Sequence, residues 1–229
     1  DKLAKQLSEA ITFKTISWEN GNPDDYAGFR AFQQWLEHTY PNVFEQLSLT
    51  RINTHTLLLR WNGKEGNAQP VLFSAHYDVV PVNPGTENEW SHSPFAGDIA
   101  DGYIWGRGAL DDKSAAIALM ASVSGLLKTG FTPKQDIYIA LTHDEELGSE
   151  DGAVAVTQWF RDQNITPAWS LDEGSFVLDG IVPGVDKGIA SINVSEKGYL
   201  TLKLTAHGEG GHSSMPPEET AVTVLAEAL

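Results

Sequence analysis

The residues best suited to do chemistry sit in two short stretches, Ser74-Ala75-His76-Tyr77-Asp78 and His143-Asp144-Glu145-Glu146. Between them lies Gly106-Arg107-Gly108-Ala109-Leu110-Asp111-Asp112-Lys113, and after them Leu171-Asp172-Glu173-Gly174. Each sets a histidine or a carboxylate just past a strand-like run or just ahead of a helix. Imidazole and carboxylate are the donors that divalent metal ions take in hydrolytic sites. One such match would carry little. Four in series, with a spare Glu beside a ligand-type Glu, point to a metal-assisted hydrolysis.

Each stretch also has a plainer reading. A lone histidine at a strand end is commonly structural, but Asp78 shares its side of the strand and can orient the imidazole, while Tyr77 points the other way. Adjacent acids on a loop, such as Glu145 and Glu146, are usually solvated; after a buried-type strand, one can bind metal while the other stays free as a base. Asp111 and Asp112 could be a charge pair favoured by a helix dipole; the functional reading has Asp111 bridging two metals. Asp172-Glu173-Gly174 could be a turn; the functional reading makes Asp172 a terminal ligand.

These side chains need a frame to bring them together. Leu3, Leu7, Ala10 and Ile11 share one helical face, and a second helix fits Asp24 to Tyr40, capped near Asp24 or Asp25 and ended by Pro41. Strands are expected over 44–52 and 56–61, then a buried parallel strand over 71–75 that ends at His76. A loop over 83–95, a hairpin over 99–105 turning at Asp101-Gly102, and a small-residue helix over 114–128 follow. A strand over 135–142, a helix over 150–161 and a strand over 168–171 complete the alternation. That order predicts an α/β fold with a mostly parallel sheet flanked by helices. In such sheets ligands gather beyond the carboxyl ends of the strands, so four segments can converge on one rim. Past residue 190 the pattern changes to strands over 189–193 and 198–206, a Gly/Ser/Pro loop over 208–217 and a helix from Thr220 that runs to the chain end without a cap. That ending suggests that the natural sequence continues.

Composition narrows the class. With 41% hydrophobic and 20% charged residues the 229-residue chain has a globular rather than a disordered mix. A net charge of −16 argues against nucleic acid or an anionic membrane as partner, and suits cations. With no cysteine, thiolate catalysis and Cys-type zinc sites are excluded, so any metal must be held by His, Asp and Glu. No apolar run is long enough to span a membrane. The chain begins at Asp1, so a signal or anchor could lie upstream; the compartment stays unknown, leaning periplasmic or secreted if such a segment exists. Gly106-x-Gly108 is followed by Asp111 where a dinucleotide fingerprint needs Gly, and neither a Walker A spacing nor a Gly-x-Ser-x-Gly elbow occurs.

Taken with Glu-Lys-Gly-Tyr-Leu-Thr-Leu over 196–202 and Gly-Gly-His-Ser-Ser-Met-Pro-Pro over 210–217, the motifs resemble those of the M20 metallopeptidases. These are relatives of carboxypeptidase G2 and aminoacylase-1, and the wording is most similar to the carboxypeptidase S and PM20D1-like branch. The resemblance covers nearly the whole chain. It implies a zinc exopeptidase-like catalytic domain over 1–194 and the beginning of an inserted α+β lid and dimerisation domain over 195–229. It implies two divalent metal ions, zinc in the first instance, with cobalt or manganese as alternatives. His76 would bind the first metal with Asp78 orienting it, and Asp111 would bridge both, with a cis peptide to Asp112. Glu146 would bind the second metal, Asp172 the first, and Glu145 would act as general acid and base on a metal-bridging water. His212 would stabilise the oxyanion in a partner subunit's site; its plainer reading is a loop histidine. The substrate implied is a peptide or N-acyl amino acid with a free C-terminal carboxylate, and the full-length protein is expected to be a homodimer through the lid. The family's terminal histidine for the second metal lies beyond residue 229, and His207, in a lid strand, is not expected to replace it. The chain as given is therefore expected to be weakly active or inactive. Two rivals stand: a non-catalytic binding or regulatory module on the same fold, and a two-metal hydrolase of another class, such as a phosphodiesterase.

Overall fold

A computed structural model describes residues 2–18, 26–174, 177–195, 197–212, 214–215 and 217–229. Two compact units divide it, Asp1–Gly174 and Ser175–Leu229, so the boundary expected at 194/195 falls inside the second unit. In the first unit, helix α1 (Lys2–Ile11) turns Gln6, Ala10 and Ile11 inward. Helix α2 (Ala27–Thr39) buries Phe29, Phe32, Gln33 and Leu36, the spacing of one helical face. The caps expected at Asp24 or Asp25 lie outside the described residues.

Pro41 opens a helix as well as closing one. Its fixed φ suits the first helical turn, and α3 runs Pro41–Gln46 with Val43 buried. The strand expected from Phe44 is corrected accordingly: β1 begins at Ser48 and runs to Ile52. Then come β2 (Thr56–Trp61), β3 (Val71–His76), a two-strand hairpin of β4 (Ile99–Ala100) and β5 (Tyr103–Ile104), helix α4 (Lys113–Lys128) and β6 (Ile137–Thr142). Helix α5 (Ala155–Asp162) and β7 (Trp169–Leu171) close the unit. The hairpin turns through Asp101 and Gly102, both at positive φ (54° and 83°), a conformation that Asp-Gly supplies at little cost.

The five-stranded sheet has the order β1-β2-β6-β3-β7. The β1–β2 hairpin joins it antiparallel, while β6, β3 and β7 run parallel to one another. The fold is therefore α/β with a mixed sheet flanked by helices, and its parallel part carries the site. Alternation along the strands assigns the faces. Leu57, Leu59, Ile139 and Leu141 join Phe29, Phe32, Leu36, Ile117 and Met120 in the larger core, on the side of α1 to α4. Leu58, Tyr138 and Ala140 face the other way, onto Val156 and Phe160 of α5. Helix α5 is preceded by a wider turn over Glu150–Val154, so the helix expected from Glu150 is regular only from Ala155.

The second unit holds a short pair, β8 (Val177–Leu178) with β9 (Ile189–Ala190), and helix α6 (Ala221–Glu227). Thr220 caps α6: its hydroxyl accepts from the Thr223 amide, and the Thr223 hydroxyl accepts from the Thr220 amide. The strand expected over 198–206 is not formed; Tyr199, Leu200 and Leu202 are exposed there. Period-2 alternation makes a strand only where a neighbouring strand takes up the backbone hydrogen bonds. Among the described residues no helix is long and apolar enough to cross a membrane.

Candidate metal centre

Strands β3 and β6 end level, with His76 opposite Thr142 in parallel register. The chain leaving β3 therefore carries Tyr77 and Asp78 past the chain leaving β6, which carries His143 to Glu146. On the other side of β3, Phe73 pairs with Leu171, so Asp172 and Glu173 step out beside the same rim. Asp111 and Asp112 arrive from the start of α4, across a peptide bond that is cis, as the resemblance implies.

His76 is the hub and is buried. Its Nε2 lies 2.8 Å from Asp111 Oδ1, 3.4 Å from Glu173 Oε1 and 3.8 Å from Glu145 Oε2. Its Nδ1 lies 3.2 Å from Asp78 Oδ1 and 3.1 Å from the Asp78 carbonyl. Asp78, fully buried, also accepts from the Glu145 and Glu146 amides, each at 3.2 Å. One carboxylate thus aims the imidazole and pins the turn that presents both glutamates. Tyr77, between them, is turned into the core, where its hydroxyl donates to the His55 carbonyl and accepts from Gln33 Nε2.

Donor atoms of His76, Asp111 and Glu146 lie within 4.8 Å of one another, and so do those of His76, Asp112 and Glu173. The electrostatics match a cluster built to receive positive charge. Burial by itself would lower the His76 pKa, but the hydrogen bonds and charges of Asp78 and Glu173 outweigh it and hold it near 12. Burial raises Asp112 to about 7, with the Glu173 charge adding to it. Glu145 is raised by burial, against the pull of His76, with Glu173, Asp78 and Asp111 pushing the same way as burial. Glu146 is raised by burial and by Asp111. Asp112 Oδ2 is buried with no hydrogen-bond partner among the described residues. One imidazole among crowded carboxylates, with an oxygen left over, fits a divalent cation far better than it fits water.

The structure brings His76, Asp78, Asp111, Glu145 and Glu146 together at one rim. Asp172 enters neither donor group; its Oδ1 accepts from the Glu173 amide, and Glu173 supplies the carboxylate near His76. Adjacent residues at a strand exit point apart, so spacing cannot choose between them. His212 lies in the second unit, where its Nδ1 is 2.8 Å from Ser214 Oγ. Sequence reading also passed over Thr15 and Ser17, whose hydroxyls bond to residues far along the chain.

An α/β sheet whose parallel strands end in a histidine and carboxylate cluster defines a metallohydrolase type of centre. The chain belongs to peptidase family M20/M25/M40, which it matches over residues 72–229. It is 43% identical over 232 residues to a probable carboxypeptidase S-like 2 of Dictyostelium discoideum, covering 100% of this chain and 44% of that protein. It is 37% identical over 230 residues to N-fatty-acyl-amino acid synthase/hydrolase PM20D1 of Xenopus tropicalis, covering 100% and 44%. Carboxypeptidase S of Saccharomyces cerevisiae is 33% identical over 239 residues, covering 98% and 40%. These relatives are of the branch that the motif wording resembles. The chain spans less than half the length of each of them. Among solved structures, an M20 family metallo-carboxypeptidase from Sulfolobus solfataricus superposes with a TM-score of 0.60 at 23% identity, over 79% of this chain and 38% of that one. Human carnosine dipeptidase 1 gives 0.57 at 19%, over 71% and 35%.

Proposed function

We propose that the protein carrying this chain is a di-metal amide hydrolase acting on peptides or N-acyl amino acids with a free carboxylate. The observation that carries the reading is the His76 hub: Asp78 behind it, Asp111 in front, and Glu145 at the edge with its side chain 45% exposed. His76, Asp111, Glu146 and one carboxylate of the Asp172-Glu173 pair would hold the metals, zinc being the ion that His and carboxylate donors suit well. Of that pair, the geometry favours Glu173. When bound, the ions would polarise the scissile carbonyl and bring the pKa of a water toward neutrality.

The chain's own residues do the rest. Glu145 takes the proton of the attacking water, and burial, with the charges of Glu173, Asp78 and Asp111 added, raises its carboxyl in the direction that favours a base. It then returns the proton to the departing amine. Asp78 holds the imidazole and the Glu145 turn in place throughout. His212, carried by a lid, would stabilise the oxyanion from a partner subunit in a homodimer. The relatives' names, carboxypeptidase S-like and N-fatty-acyl-amino acid synthase/hydrolase, support an amide that joins an acyl group to an amino acid.

The test is the metal-to-protein ratio of the full-length protein by elemental mass spectrometry. About two zinc-like ions per chain, lost in Asp111→Ala, is the result expected of a co-catalytic pair. Protein without tightly bound metal would overturn the reading and favour a binding module.

A further inference from the structure

The ligand segments of the rim are four, and one stretch of chain touches three of them, those that carry His76, Asp111 and Glu146. Thr15 is fully buried. Its hydroxyl donates to the Tyr77 carbonyl at 2.5 Å, and its carbonyl accepts from the Val79 amide at 2.9 Å. Ile16 forms a parallel bridge with Val79. Ser17 donates its hydroxyl to the His143 carbonyl at 2.7 Å. From the start of α4, next to Asp112, the fully buried Lys113 donates to the Ala10 and Phe13 carbonyls at 3.0 and 2.6 Å. Tyr77 lies between His76 and Asp78, His143 lies two residues before Glu145, and Lys113 follows Asp112.

The physical need for such a part is clear at the end of the sheet. The β3–β6 ladder stops at His76 opposite Thr142, and the Tyr77 amide donates to the Thr142 carbonyl at 3.0 Å. Beyond that point the ladder no longer joins the two exits, and the Asp78 carboxylate reaches across to the Glu145 and Glu146 amides. The strap meets both exits there, through Thr15 on one and Ser17 on the other.

We propose that residues 10–17 form a strap that sets three of the four ligand segments relative to one another, with Thr15 and Ser17 as positioning residues for the metal centre. The proposal rests on the metal-centre reading above. Neither side chain is placed to bind an ion; each acts through the backbone of the loop that carries the donors. Groups that orient metal ligands typically cost about 10- to 100-fold in metal affinity when removed.

The experiment measures zinc affinity of the full chain against a chromophoric chelator, alongside the melting temperature without metal. Thr15→Val keeps the shape and deletes the donor; Ser17→Ala deletes the second; Thr15→Ser restores the hydroxyl. Ser124→Ala is the control, because that buried hydroxyl donates to Asn42 Oδ1 at 2.8 Å about three turns along α4 from the site. The strap predicts that T15V and S17A each weaken zinc binding about 10-fold or more, that T15S restores it, and that S124A lowers the melting temperature with zinc affinity unchanged. Should T15V fail to fold, S17A carries the comparison. Folded T15V or S17A with wild-type zinc affinity would overturn the strap and leave the metal centre standing. A wild-type chain that binds no zinc would remove the metal-centre reading itself.

Discussion

Asp78 Oδ1 sits 3.2 Å from His76 Nδ1, with both side chains shut off from solvent. The same carboxylate accepts the amides of Glu145 and Glu146. An oxygen shared between an imidazole and a backbone turn couples two ligand loops through a single side chain. Asp78→Asn puts an NH2 group where one of these acceptors was. Metal affinity is expected to fall about 10- to 100-fold, read by competition with a chelator. Unchanged affinity would confine Asp78 to a packing role.

Glu145 lies at the edge of the cluster, 3.8 Å from His76 Nε2, and belongs to neither donor group. Glu145→Gln removes the base and keeps the shape. The metal ratio should stay at the wild-type value while turnover of an N-acyl amino acid by the full-length protein falls about 10²- to 10⁴-fold. Wild-type turnover in that variant would move the base elsewhere.

Asp172 and Glu173 are neighbours with different surroundings. Glu173 reaches His76 at 3.4 Å, whereas Asp172 accepts its neighbour's amide. Glu173→Gln is therefore expected to weaken metal binding more than Asp172→Asn. Calorimetric titration with zinc decides; the reverse order would give the ligand role to Asp172.

His55 sets a pH dependence of stability away from the donor cluster. Burial first, then the positive neighbours His143, Arg30 and Arg51, push its pKa from 6.5 down to about 4. Its ring stacks on Tyr26 at 4.6 Å, and its Nδ1 accepts from Gln33 Nε2 at 3.2 Å. Because the folded pKa is depressed, the unfolded chain takes up a proton below pH 6.5 that the folded chain refuses until about pH 4. The contribution is whole above pH 6.5 and is lost as the pH falls to 4, reaching about 3 kcal/mol at most. His143 is depressed as well, chiefly by burial, and adds in the same direction. Urea midpoints with chelator present should drop between pH 7 and 4.5, and His55→Gln should shrink that drop.

Gly28 stands in the first turn of α2 with its Cα against the strap. A Cβ there would meet the Lys14 carbonyl oxygen at 2.1 Å, and backbone cannot swing aside as a side chain can. Alanine would ordinarily favour a helix by about 1 kcal/mol. Here Gly28→Ala is expected to destabilise by about 1–3 kcal/mol, measured by thermal melting. A more stable variant would show that the strap has room to shift.

His76, Asp111, Glu145 and Glu146 are legible in the sequence because each follows a buried strand or precedes a helix, and such exits share one edge of an α/β sheet. Leu57, Leu58 and Leu59 lie on a strand that the sequence predicts, but three leucines in a row do not say which side is which, and packing sends Leu57 and Leu59 to one core and Leu58 to the other. Pro41 is ambiguous, since the residue that ends one helix is equally at home opening the next. The stretch over 198–206 has the period of a strand but no paired neighbour among the described residues, and period alone does not form one.

What the sequence determined by itself is local: residue types at fixed short spacing, the turns that Asp-Gly and Pro impose, and the acidic, cysteine-free donor set. What only the tertiary structure decided is which distant groups meet. Thr15 finds the Tyr77 carbonyl 62 residues away, and Ser17 finds that of His143 126 residues away. Glu173 reaches His76 where Asp172 does not. Such pairings leave no period in the chain, because they are set by how the helices and strands pack and by the need of each buried polar group for a partner.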